Sequence, residues 1–123
     1  MPIVQLILVE DEPLILACTQ DALTEAGFDV LTATNAAEAL TLLSETPECV
    51  AMMLDVRLEG RIDGWQLARE ARSNQPDIAI IYTTTADTAE YQQQGVERSV
   101  LLQKPYTLDH AVGAALEACE KVT

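Results

Sequence analysis

A short apolar run followed by a longer amphipathic stretch recurs five times along this chain, and that alternation constrains the fold more than any other feature. The first run, Ile3 to Val9, is rich in β-branched residues and broken only by Gln5, the pattern of a strand covered on both faces. Phe28 to Ala33, Cys49 to Leu54, Ile78 to Tyr82 and Val100 to Leu102 read the same way. Between them lie helices with recognisable punctuation. Pro13 follows the acidic Glu10-Asp11-Glu12 as a helix start, and Gly27 stops a helix whose expected buried face is Ile15, Cys18, Ala22 and Ala26. Asn35 is placed to cap a second helix carrying Ala36, Ala39, Leu40 and Leu43 at helical spacing. After a loop with Gly60 and Gly64, a third helix carries Leu67, Ala68 and Ala71. A short polar helix runs from about Asp87 to Gln94, and a last one has the stripe Leu108, Ala111, Val112, Ala115, Leu116 and Cys119. Five such units predict an α/β fold, a doubly wound five-stranded parallel sheet with helices on both faces and right-handed crossovers.

A chain of 123 residues fits one domain, 1–123, and a 49% hydrophobic fraction is enough for a real core. Twenty acidic residues against seven basic ones leave a formal charge of −13. Such a surface repels nucleic-acid phosphates and anionic lipid, so neither nucleic acid nor membrane is expected as a partner; metal cations and basic protein patches are. Cys18, Cys49 and Cys119 contain no CxxC pair, which speaks against a disulfide framework or zinc site and suits a reducing compartment. The opening Met1-Pro2-Ile3-Val4-Gln5 lacks signal-peptide features, and no apolar run approaches the ~20 residues that span a bilayer. The expected location is the cytoplasm.

In open parallel sheets the functional site lies at the carboxyl ends of the strands. Here those ends lead into Glu10-Asp11, Asp55, Thr83-Thr84-Thr85 and Lys104-Pro105. Singly, each has an ordinary structural explanation: a helix cap, strand chemistry, a turn. Together, three carboxylates in one pocket would repel unless a divalent cation sat among them. An all-oxygen set without His or Cys suits Mg²⁺ better than zinc.

The set Glu10-Asp11, Asp55, Thr84 and Lys104-Pro105, in this order after strands one, three, four and five, resembles the response-regulator (CheY-like) receiver family over essentially the whole chain. The resemblance implies a flavodoxin-like strand order 2-1-3-4-5. It implies that Asp55 accepts a phosphoryl group from a histidine kinase or phosphotransfer protein, with Mg²⁺ as cofactor. Asp11 and Asp55 would ligate the ion directly, the carbonyl of Arg57 would add a ligand, and Glu10 would act through water. Lys104 would contact a phosphoryl oxygen. Thr84 would bind the transferred group, Thr85 being the alternative; side-chain alternation puts Thr84 on the face of Ile80 and Tyr82. The mixed anhydride hydrolyses, so the chain is expected to be a self-limiting switch and not a turnover enzyme. A phosphohydrolase would need a second acid two residues after the nucleophile, where Arg57 stands. Output is expected through a downstream protein partner or phosphate relay, as in a single-domain regulator, with Asp87 to Gln94, Val100 to Leu102 and the last helix as the docking face.

The sequence departs from the family in three places. Glu59 stands where a loop proline is usual, and Gly64 comes one residue late. Leu101 replaces the aromatic switch residue expected three positions before the lysine. A subset of alphaproteobacterial single-domain receivers is similar in lacking the proline and in having an aromatic two positions before the threonine, here Tyr82. The altered loop and Leu101 motivate an alternative, a phosphorylation-independent interaction module that kept the fold. His110 reads as a solvated helix residue, Trp65 as cover for a helix start, and Arg57 as either a surface residue or a side chain over the site.

Overall fold

The computed structural model describes residues 4–85 and 88–122; Ile3 and Asp87, expected to begin a strand and a helix, lie outside them. In chain order the elements are β1 (Val4–Val9), α1 (Pro13–Glu25), β2 (Phe28–Ala33), α2 (Ala36–Glu45), β3 (Ala51–Asp55), α3 (Gly64–Asn74), β4 (Ala79–Thr84), α4 (Thr88–Gln94), β5 (Ser99–Gln103) and α5 (Leu108–Lys121). All strand pairs are parallel, in the order β2-β1-β3-β4-β5. The expected architecture and strand order are both present.

Every residue of β3 and β4 is buried, as continuous apolar strands between two helical layers require. Alternation divides them between two cores. Ile7, Val9, Met52, Leu54, Ile80 and Tyr82 face the side of α2 and α3, where Ala39, Leu43, Leu67 and Ala71 pack. Leu6, Leu8, Met53 and Ile81 face the side of α1 and α5, with Leu23, Ala111, Ala115 and Ala118. Helix starts follow their side chains. Asn35 accepts a hydrogen bond from the Glu38 amide, Asp63 from that of Gln66, and Thr107 from that of His110. Among the described residues, no helix is long and apolar enough to cross a membrane.

Two helix faces differ from expectation. On α1 the side turned to the core is Leu16, Thr19 and Leu23, while Cys18 and Ala26 are exposed. Hydrophobicity alone passed over Thr19 because a hydroxyl is costly inside; its Oγ1 is matched by the Tyr106 hydroxyl at 2.8 Å. On α5 the buried residues are Ala111, Ala114, Ala115 and Ala118, whereas Leu108 and Leu116 are exposed at 43% and 50%. Alanines bring the helix axis close to the sheet, and the larger side chains are rotated outward. The strands also run further than their apolar cores: β3 ends on Asp55 and β4 on Thr84, so polar residues at the site are held by strand pairing.

Candidate functional site

Asp55 is the last residue of β3, opposite Thr83 of β4. Its Oδ1 accepts the Arg57 amide at 2.9 Å and its Oδ2 accepts Lys104 Nζ at 2.8 Å. Glu10 follows β1 directly and is 3% exposed. Its amide donates to the Ala33 carbonyl, its Oε2 accepts the Glu12 amide at 3.2 Å, and its Oε1 accepts Lys104 Nζ at 2.7 Å. One ammonium therefore bridges two buried carboxylates. The Lys104 backbone is fixed as well, donating its amide to the Thr84 carbonyl at 2.8 Å.

Burial and hydrogen bonding together set how tightly these groups hold their protons. Burial raises the Glu10 carboxyl above its ordinary value, only partly offset by the hydrogen bonds from Lys104 and the Glu12 amide. Burial by itself would lower the Lys104 ammonium; its hydrogen bonds to Asp55 and Glu10 outweigh that and raise it. The site holds its lysine charged.

Asp11 is exposed, yet it offers an oxygen to a cluster with Glu10 and Asp55 in which the three candidate ligand atoms lie within 4.8 Å of one another. All are carboxylate oxygens on the loop-facing end of the sheet, a donor set that fits a hard divalent cation. Lys104 satisfies one oxygen each of Glu10 and Asp55, so a cation there would share those groups with the lysine.

The structure thus brings together Glu10, Asp11, Asp55 and Lys104. Thr84 ends β4 beside them, 1% exposed and on the face of Ile80 and Tyr82, whereas Thr85 is exposed. The Arg57 side chain is exposed and its amide is the part that touches Asp55. His110 is exposed in the first turn of α5. Trp65 does more than cover a helix start: it is 3% exposed, packs at a tilt against Tyr82, stacks with Tyr91, and donates its indole N–H to Glu90 Oε1 at 2.8 Å. Two features escaped the sequence reading. The Thr19–Tyr106 bond ties the loop after Lys104 to α1; the tyrosine hydroxyl next to Lys104-Pro105 was the available signal. Beside it opens a groove of about 540 Å³ lined by Leu14, Ile15, Cys18, Pro105, Tyr106 and Leu108, among others, which reaches Lys104.

Comparison with known proteins points one way. The family model of the response regulator receiver domain matches residues 6–115. Transcriptional regulatory protein QseB of Haemophilus influenzae is 31% identical over 116 residues, covering 93% of this chain and 51% of that protein. Transcriptional regulatory protein GlrR of Escherichia coli is 34% identical over 121 residues, covering 94% of this chain and 26% of that protein. A solved response regulator receiver protein from Sinorhizobium medicae has a TM-score of 0.91 at 30% identity, with 98% of each chain covered. The chain spans about half, or less, of the length of these curated relatives.

Proposed function

The chain belongs to the response regulator receiver domain family, and from that premise we propose that it is a Mg²⁺-dependent phosphorylation switch with Asp55 as phosphoacceptor. The observation that carries this reading is the double anchoring of the Asp55 carboxylate, by Lys104 on one oxygen and the Arg57 amide on the other. In the proposed transfer an Asp55 oxygen attacks the phosphorus of a phosphohistidine. The P–N bond breaks, its electron pair leaves with the imidazole, and an acyl phosphate forms. Lys104, already held charged within reach, turns to a phosphoryl oxygen. Asp11, Asp55 and the Arg57 carbonyl would hold Mg²⁺ directly and Glu10 through water, and the ion when bound supplies neutralisation of the charge on the phosphoryl oxygens. The Thr84 hydroxyl would bind the transferred group. Hydrolysis of the acyl phosphate resets the switch, so the protein is a signal carrier and not a turnover enzyme.

The phosphodonor, a histidine kinase or phosphotransfer protein, docks where an apolar surface adjoins the acceptor. The groove beside Lys104, with Leu14 71% exposed at its edge, meets that requirement. Output is by contact with a downstream protein or by phosphate relay. The test is incubation with Mg²⁺ and acetyl phosphate, read by mass. The wild type gains one phosphoryl group only when Mg²⁺ is present and Asp55→Asn does not; a wild type that never reacts overturns the reading.

A further inference from the structure

The receiver reading leaves open how phosphorylation of Asp55 is felt elsewhere, because β5 carries Leu101 in place of an aromatic switch. Two lines of contact leave the site and meet at one side chain. The first starts at the acceptor backbone: the Gly64 amide donates to the Val56 carbonyl at 2.8 Å, and Trp65 is the next residue of α3. The second runs along β4 from Thr84 to Tyr82, on the same strand face, whose ring centroid is 4.6 Å from that of Trp65. From Trp65 the indole N–H reaches Glu90 Oε1 in the first turn of α4. Tyr91, one residue on, stacks on Trp65 at 6.4 Å and meets Tyr82 edge-on at 5.8 Å. Its hydroxyl donates to the Ser99 carbonyl at 2.9 Å, and the Tyr82 hydroxyl accepts the Val96 amide at 3.0 Å.

Resting on the receiver reading, we infer that the Trp65–Glu90 hydrogen bond is a latch that holds α4 in the unphosphorylated arrangement and is released when Asp55 is phosphorylated. Helix α4 is the element suited to move, since none of its residues is buried. A bond of 2.8 Å is lost beyond about 3.5 Å, so a displacement of roughly 1 Å opens the latch. Drawing Thr84 toward a phosphoryl group on Asp55 shifts the end of β4 and with it the Tyr82 ring packed on Trp65, and the exposed Thr88, Gln92 and Gln93 of α4 are displaced when the latch opens. Linkage then demands reciprocity. If phosphorylation opens the latch, removing the latch strengthens binding of the phosphoryl group.

The experiment titrates wild type, Trp65→Phe, Glu90→Ala, Glu90→Gln and the Trp65→Phe/Glu90→Ala double variant with beryllofluoride at saturating Mg²⁺, by calorimetry. Trp65→Phe keeps the ring packing and loses the donor; Glu90→Gln keeps an acceptor. Both Trp65→Phe and Glu90→Ala bind about fivefold tighter than wild type. The double variant gains no more than either single one, and Glu90→Gln stays near wild type. A purely structural contact would lower thermal stability without moving this affinity. Affinities of the two single variants within twofold of wild type, or weaker, overturn the latch while leaving the receiver reading intact. Absence of any beryllofluoride binding by the wild type overturns the receiver reading, and the latch falls with it.

Discussion

Gly64 lies against the backbone of Asp55 so closely that a side-chain carbon there would sit 2.5 Å from Val56 Cα and nearer still to the Asp55 carbonyl oxygen. Backbone on both sides leaves nothing that can yield. Gly64→Ala therefore has to push the first turn of α3 away from the end of β3. The expected cost is about 1–3 kcal/mol, as for other overpacked sites, measured by urea unfolding, with slower reaction of Asp55 toward acetyl phosphate. Unchanged stability would show that the turn relaxes freely.

The same glycine shows what was legible beforehand. Its lateness by one residue suggested an altered loop, yet Gly64 still meets Asp55, and Gly60 at φ +120° sits within the longer loop. The strands and the carboxylate–lysine cluster could be read because apolar runs are local signals and strand ends must converge in a parallel sheet. The rotated stripe of α5 and the Trp65–Glu90 bond could not, and Thr19 was signalled only by the Tyr106 hydroxyl. Each depends on a partner far along the chain: Tyr106 for Thr19, the sheet for the alanines, and a helix 25 residues away for Trp65. Periodicity marks a face to within about a residue, and hydrogen-bonded polar groups inside a core carry no apolar signal.

Lys104 bridges two carboxylates with one positive charge, so its removal leaves both buried without their cation. Lys104→Met is expected to cost about 1.5–3 kcal/mol in metal-free buffer, the range for hydrogen bonds to charged groups. Added Mg²⁺ recovers part of that loss, because a divalent cation takes over the neutralisation. Chemical unfolding with and without the ion measures both effects. A variant as stable as wild type without metal would mean that the carboxylates do not depend on the lysine.

Mg²⁺ itself stabilises the fold if Glu10, Asp11 and Asp55 hold it. Binding to the native state alone adds RT ln(1 + [Mg²⁺]/Kd), about 2.7 kcal/mol at a hundredfold excess over Kd. Thermal melts across a Mg²⁺ series should rise for wild type and much less for Asp11→Asn, whose exposed carboxylate has little packing to lose. Parallel rises in both proteins would place the ion elsewhere.

Tyr82 sets an alkaline limit. Burial pushes its phenol up to about 12 from an ordinary 10.0. The neutral form is favoured in the fold, so the native state holds a proton that the unfolded chain has lost. Stability is fully present below pH 10 and falls as pH rises from 10 toward 12. In a tyrosinate absorbance titration, Tyr82 stays protonated at pH 11 while the protein is folded, and ionises when denaturant is added. Ionisation of all three tyrosines by pH 11 in the folded protein would contradict this.

Arg72 joins α3 to the turn that leads into β5. Its Nε donates to the Ile78 carbonyl at 2.7 Å, and its two terminal nitrogens donate to those of Glu97 at 2.6 Å and Arg98 at 3.1 Å. The turn needs that support, since Arg98 takes a left-handed conformation at φ 59° that side chains other than glycine adopt at some cost. A lysine keeps the charge but is a single point donor that cannot span three carbonyls in the guanidinium plane. Arg72→Lys is therefore expected to cost about 1–2 kcal/mol in urea unfolding. Asp77→Asn removes only an exposed ion pair at 3.7 Å and should shift stability by less than about 0.5 kcal/mol. Equal effects from the two substitutions would mean that charge, and not the planar fork, holds the turn.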